Sequence, residues 1–265
     1  MKRQLLFVPA MLAVIMFFFM TGCVKKLDIR KLPDEDSKFC PIQKFQAVIQ
    51  PDAIPVRIME LDVTYNSAGN PVSMLTVGAH SSFILDFRFR YDHRNRLTDY
   101  LGSFPGNQGA LTWHRYAYPS ERIAIDSAFF YGSQLITDPG PDPNSFARVT
   151  VYLLDEKGRI TRSQDASGAL IADYRYDNRG NLIRDGVVYD DKINPYRTNP
   201  VWRFINQDYS MNNPSLDLIK SPLQITDFNA VGLPLQYQGG LYLFDEADLF
   251  NLSIEYACDP GKKDY

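Results

Sequence analysis

The chain has 265 residues, with 28 Lys+Arg against 31 Asp+Glu and a formal net charge of −3. At 45% hydrophobic residues it can bury a core, which excludes global disorder, and a weakly acidic chain without basic runs is a poor nucleic-acid binder. Sixteen Gly and seventeen Pro, with 16 Tyr and 17 Phe beside only two Trp, favour short strands and turns over helical bundles.

The first element reads as an address. Lys2 and Arg3 precede an apolar run from Leu5 to Met20. At about 1.5 Å per residue this run falls short of a ~30 Å bilayer core, and Pro9 weakens a spanning helix further. The run ends in Met20-Thr21-Gly22-Cys23. That ending resembles a bacterial lipoprotein signal, which implies that Cys23 is lipidated and becomes the new N-terminus. The alternative is an ordinary secretory peptide cut nearby, or an uncleaved anchor. Residues 1–22 are therefore expected to be a signal peptide, 23–40 a lipid anchor and charged tether, and 41–265 the folded domain. No Asp follows Cys23 directly, so the usual inner-membrane retention signal is missing. Val24-Lys25-Lys26-Leu27-Asp28 matches known surface-export signals poorly. The expected location is the outer membrane, with the face left open.

Cys40 and Cys258 then remain, one near each end of the folded region. An even number of thiols in an oxidising envelope favours a disulfide between them, against the alternative of two separate free thiols. Two Cys with the scattered His80, His93 and His114 lack any paired-ligand spacing for a metal.

Along the folded region one short pattern recurs. Tyr65-Asn66-Ser67-Ala68-Gly69-Asn70-Pro71 is followed by Tyr91-Asp92-His93-Arg94-Asn95-Arg96-Leu97 and Leu154-Asp155-Glu156-Lys157-Gly158-Arg159-Ile160. The cleanest copy is Tyr176-Asp177-Asn178-Arg179-Gly180-Asn181-Leu182, and Phe228-Asn229-Ala230-Val231-Gly232-Leu233-Pro234 is a weaker fifth. Asp or Asn opens a type I turn by hydrogen-bonding the backbone two residues on. Gly three residues later takes positive φ without Cβ strain and returns the chain as a hairpin. The copy without Gly has Asn95, a residue that tolerates that conformation. The predicted turn residues are thus Gly69, Asn95, Gly158, Gly180 and Gly232.

The flanks alternate as strands do, with Phe83, Leu85, Phe87, Phe89 and Tyr91 on one face and Asp86, Arg88 and Arg90 on the other. Trp113 to Tyr118 and Arg122 to Tyr131 read as a further strand pair. Asp138-Pro139-Gly140-Pro141-Asp142-Pro143-Asn144 is a loop. Asp190 to Lys220 is a long irregular insert, with room for a short helix around Val201 to Asp208 or Leu216 to Ile219. Leu241 to Phe244 and Leu252 to Ala257 close the series. The expected fold is all-β: an antiparallel meander of repeated hairpins forming one elongated, twisted sheet or an open-barrel-like solenoid.

The Tyr-Asp-x-x-Gly-Asn/Arg-Leu pattern resembles the YD hairpin of Rhs-type repeat proteins. Tyr189-Asp190-Asp191-Lys192-Ile193-Asn194-Pro195-Tyr196, with Asn199-Pro200 and Asn212-Asn213-Pro214, is similar to a segment of Bacteroidota lipoproteins that carry YD-like repeats. The resemblance spans roughly Ile58 to Ala257 and implies a fold more than an activity. True Rhs proteins are very long, enclose a cargo and end in a toxin; this chain has too few repeats for a shell, so that function is not implied.

The chain contains no Gly-x-Ser-x-Gly, His-Glu-x-x-His or phosphate-loop pattern. Asp165, Asp173, Asp177 and Asp185 surround one hairpin, and Asp138, Asp142 and Asn144 offer oxygen ligands, but turn roles explain both sets more simply. No catalytic residue, metal or cofactor is expected. Repeated Arg88, Arg90, Arg115 and Arg175 read as a solvated face, with anionic-glycan binding as the minority reading. Trp113 and Trp202 are the candidates for an exposed ligand platform, although core is the simpler role for each. The expected function is non-catalytic binding or scaffolding at the outer membrane, held there by lipid. The partner is an envelope protein or, alternatively, a glycan served by a carbohydrate-uptake system.

Overall fold

The computed structural model describes residues 40–50, 57–78, 85–130, 135–142, 147–215, 224–238, 240–242 and 248–257. The signal and tether, Cys23 and Cys258, Asn144 and the segment Leu216 to Ile219 lie outside the described residues.

The chain is all-β. Strands β1 (Ile42–Gln50), β2 (Arg57–Tyr65), β3 (Pro71–Val77), β4 (Asp86–Tyr91) and β5 (Leu97–Ser103) follow one another antiparallel. The meander continues through β6 (Thr112–Ser120), β7 (Ile123–Phe130), β8 (Ala147–Leu154), β9 (Ile160–Asp165) and β10 (Leu170–Asp173). After β9 and β10 the insert forms β11 (Val188–Ile193), a 3-10 turn (Pro195–Thr198), helix α1 (Pro200–Ile205) and β12 (Asn212–Ser215), with β11 and β12 paired as a separate ribbon. The chain then returns to the other end of the main sheet. β16 (Asp248–Tyr256) pairs with β1, and beyond it lie β14 (Pro234–Gln238) and β13 (Gln224–Phe228), while β15 (Gly240–Tyr242) also pairs with β16. The main sheet has 14 strands, and its end strands β10 and β13 are not paired with each other. The sheet is therefore open.

The five predicted turns are built on one five-residue pattern. In the turn after β4, Asp92 N–H donates to Arg96 O (3.0 Å), Asn95 N–H to Asp92 O (3.0 Å), and Asp92 Oδ1 accepts from the N–H groups of Arg94 (2.8 Å) and Arg96 (2.9 Å). The same four bonds close the turns at Asn66, Asp155, Asp177 and Asn229. φ is +80° at Gly69, +60° at Asn95, +72° at Gly158, +85° at Gly180 and +86° at Gly232. A sixth turn of this form, Asp165 to Ala169 with Gly168 at +87°, joins β9 to β10. The sequence reading missed it because Gln164 stands where the other copies have an aromatic or Leu.

One face of the sheet carries the core. Cross-strand register puts Phe45 opposite Leu61, Val63 opposite Met74, Met74 opposite Phe87 and Phe89 opposite Tyr100, all buried. The insert lies on this face: the Trp202 ring meets Phe89 edge-on at 5.6 Å, and Phe204 meets Tyr116 at 5.1 Å. Its two turns of helix start at Asn-Pro pairs. Asn194 and Asn199 cap them by accepting from the N–H groups of Tyr196 and Val201, both at 2.9 Å, and Pro195 and Pro200 occupy first-turn positions where no N–H is needed. The predicted short helix at Val201 to Asp208 is thus present as Pro200–Ile205.

Candidate functional site

Trp113 and Trp202 do not form a platform. Each is 1% exposed, and they sit on opposite faces of the sheet. Trp202 is buried beneath the insert. Trp113 packs with Leu101, Ala110 and Ile136, donates from Nε1 to the buried Asp99 carboxylate at 2.8 Å, and lies under the Arg90 guanidinium at 5.0 Å. An indole needs an acceptor when buried, and Asp99 supplies it.

Of the four arginines expected to face solvent, Arg175 is exposed, whereas Arg90 and Arg115 hold a loop. Arg90 donates to the carbonyls of Asp138 and Ile136, and Arg115 donates from Nη2 to Pro139 O at 2.7 Å while its Nε reaches Asp99 at 3.0 Å. Arg88 reaches Ser103 Oγ at 3.2 Å. This clamp ties the loop at residues 135–140 over the second face of the sheet. Asp138 closes the same loop by accepting the Leu135 N–H at 2.8 Å.

Of the carboxylates near the β9–β10 hairpin, Asp165 and Asp177 accept their own turn N–H groups, and Asp173 pairs with Arg162 at 2.8 Å. Asp185 is exposed. His114 Nδ1 lies 2.9 Å from Asp126 Oδ2, with the ring between Tyr100 and Tyr116. Burial, and then the Asp126 carboxylate, pushes the Tyr116 phenol well above its ordinary 10.0. Among the described residues no group of three His, Cys, Asp or Glu is placed to hold a metal ion. Cys40 packs partly buried against the core just before β1.

The feature with the clearest binding chemistry is the end of the sheet. Among the described strands β10 has β9 as its one neighbour, and it exposes Leu170 (56%) on one face and Ile171 (58%) on the other. Ile183 and Val188, a short way along the chain, are also exposed. A sheet edge with apolar side chains on both faces is open to pairing with another strand. The run Ala169-Leu170-Ile171-Ala172 contains no Pro or charge to block it.

A scan against protein-family models and a search of curated proteins find no match. Among solved structures the chain is similar to a porin-like protein from Bacteroides uniformis, with 6% identity and a TM-score of 0.24, covering 82% of this chain and 97% of that one. It is also similar to part of a structure of TcdB2-TccC3-TEV, with 12% identity and a TM-score of 0.21, covering 76% of this chain and 11% of that one. At these TM-scores neither likeness carries an argument.

Proposed function

We propose that the chain is a lipid-anchored, non-catalytic module of the outer membrane that binds a protein partner in extended form along β10. The observation that carries this reading is the exposed pair Leu170 and Ile171 on an end strand. An added strand would cover both side chains at once, and main-chain hydrogen bonds would supply the rest of the affinity. Burial of both tryptophans speaks against a glycan platform. The anchoring half of the proposal rests on Lys2, Arg3, the apolar run and Met20-Thr21-Gly22-Cys23. The YD-type, Rhs-like character of the repeats is supported by the recurring four-bond turn.

The proposal includes a Cys40–Cys258 disulfide. β1 and β16 pair with Ile42 opposite Tyr256, and Ala257 N–H donates to Pro41 O at 2.9 Å. Cys40 stands two residues before Ile42 and Cys258 two residues after Tyr256 in the sequence, a spacing that supports the pairing.

A photocrosslinking residue at position 171, in intact cells, should capture an envelope protein. Asp173→Pro should abolish the adduct by removing an N–H on the side of β10 away from β9, since the next N–H, that of Tyr174, donates to Thr161 O of β9. The same residue at the exposed Thr64 serves as control. Equal adducts at both positions, or adducts indifferent to the proline, would overturn the edge reading. For the anchor, Cys23→Ser should move the protein from the membrane to the soluble envelope fraction; unchanged detergent partitioning would sink it.

A further inference from the structure

Three Asp–Pro bonds occur in the chain: Asp138–Pro139, Asp142–Pro143 and Asp259–Pro260. The first is gripped by the loop clamp. Arg90 Nη1 donates to Asp138 O at 2.6 Å, and that oxygen belongs to the carbonyl of the Asp138–Pro139 bond itself. Arg115 Nη2 donates to the next carbonyl, Pro139 O, at 2.7 Å. Both guanidinium groups are anchored elsewhere as well. Arg90 lies 5.0 Å from the Trp113 ring and also holds Ile136 O, and Arg115 Nε is bonded to the buried Asp99 at 3.0 Å. A Cβ on Gly140 would fall 2.1 Å from Arg115 Nη1, so glycine is what lets the second arginine come this close.

The Asp138 side chain completes the arrangement. Its Oδ2 accepts the Leu135 N–H at 2.8 Å, and its own N–H donates to Leu135 O at 2.9 Å, which fixes the residue and leaves Oδ1 to react. An aspartyl residue can close a ring on its own backbone by either of two attacks. The following amide nitrogen can attack Cγ, or a carboxyl oxygen can attack the main-chain carbonyl carbon. Pro139 has no N–H to lose, so the first route is shut. The second is eased when positive charge already faces the main-chain carbonyl oxygen, because that oxygen turns negative in the tetrahedral intermediate. Arg90 stands in that place.

We propose that Asp138–Pro139 is a self-cleavage site, at which the folded chain breaks its own backbone. Oδ1 of the Asp138 carboxylic acid attacks the Asp138 main-chain carbonyl carbon. The C–N bond to Pro139 breaks, its electron pair takes up the carboxyl proton, and Pro139 becomes a new N-terminal secondary amine. Asp138 is left as a cyclic anhydride, which one water molecule opens to two carboxylic acids. The sum is hydrolysis of one peptide bond by one water. The two pieces stay together, since β7 and β8, which flank the break, pair from Ile123 opposite Leu153 to Phe129 opposite Ala147. Each chain reacts once and on itself, so the reaction goes beyond the binding role proposed above and does not depend on it.

The test holds the full-length protein, purified in detergent, in mildly acidic buffer and follows it by intact-mass spectrometry. A fragment ending at Asp138 and one starting at Pro139 should appear together, while native gels still show one species. Cleavage at this bond should be at least about tenfold faster in the folded protein than in urea, where all three Asp–Pro bonds should break at similar rates. Arg90→Gln, checked for fold by circular dichroism, should lose most of that acceleration. Asp138→Ala should stop the reaction with Arg90 still in place, which keeps the test open if Arg90→Gln folds poorly. In isotopically labelled water, heavy oxygen should enter both carboxyl groups of the new terminal Asp138, because water can open the anhydride at either carbonyl. Cleavage no faster in the folded protein than in urea, an unaltered rate in folded Arg90→Gln, persistence in Asp138→Ala, or label confined to the main-chain carboxyl would overturn the proposal.

Discussion

Five tyrosines, two of them (Tyr91 and Tyr176) from the repeated motif, have a role that the turns themselves do not reveal. Tyr91 OH donates to Pro71 O (2.5 Å), Tyr118 to Leu97 O (2.9 Å), Tyr176 to Ile160 O (2.8 Å), Tyr189 to Leu182 O (2.5 Å) and Tyr256 to Pro234 O (2.9 Å). Each acceptor is the first residue after one of the five predicted turns, so every such turn is tied to a later strand. Arginine of the turn strengthens two of these ties, Arg96 lying 4.5 Å over Tyr118 and Arg159 4.0 Å over Tyr176. Tyr118→Phe should therefore cost about 1 kcal/mol in denaturant unfolding, with no change in fold; an unaltered midpoint would show that the hydroxyl bond contributes nothing net. The same burial pushes the phenols of Tyr91, Tyr118, Tyr152 and Tyr176 well above 10.0. The folded state holds these protons where the unfolded state releases them. Their contribution to stability is complete below pH 10.0 and is lost as pH rises from there toward the folded values. Tyrosinate absorbance should appear together with loss of sheet circular dichroism. Tyrosinate forming near its ordinary pH with the sheet intact would contradict this.

Hairpins are where the sequence was most legible, because their bonds run between residues no more than four apart. Gly158 and Gly180 serve the same turn position but differ in what surrounds them. A Cβ on Gly158 would meet nothing within 4 Å, whereas one on Gly180 would lie 2.8 Å from Met211 Cγ. Gly158→Ala should cost about 1 kcal/mol from positive φ alone, and Gly180→Ala clearly more. Equal melting curves for the two would remove the insert contact from the account. The loop clamp gives a third test at this scale. A Cβ on Gly140 would fall 2.1 Å from Arg115 Nη1, so Gly140→Ala should displace the guanidinium from Pro139 O. Hydrogen exchange should then accelerate at residues 135–140 with little change in the strands; protection unchanged there would mean the clamp tolerates the methyl.

At the scale of the whole described domain, the insert decides whether the sheet has a core. Val201, Trp202 and Tyr209 join side chains from β1 through β9 and from β14 and β16 in a single buried cluster. Asn199 links the insert to the first hairpin turn across 130 residues of sequence. Trp202→Ala should cost roughly 3–5 kcal/mol, far more than loss of any one turn. A mild effect in chemical unfolding would mean that the sheet stands without its cover. The sequence marked this segment as irregular and Asn-Pro-rich, and its helix was legible from position, but nothing local indicated which face it would cover.

The sequence alone determined the all-β class, the turn positions and the alternation of strand faces. Those follow from backbone sterics and hydrogen bonds that close within a few residues, so Asp92 and Asn95 specify their turn wherever the hairpin is placed. Only the tertiary structure decided that both tryptophans are buried, that Arg90 and Arg115 clamp a loop, and that tyrosine hydroxyls tie the turns to later parts of the chain. Burial and long-range pairing depend on which surface arrives from far along the chain. A solvent-facing arginine and one that clamps a loop look alike until the loop is in place.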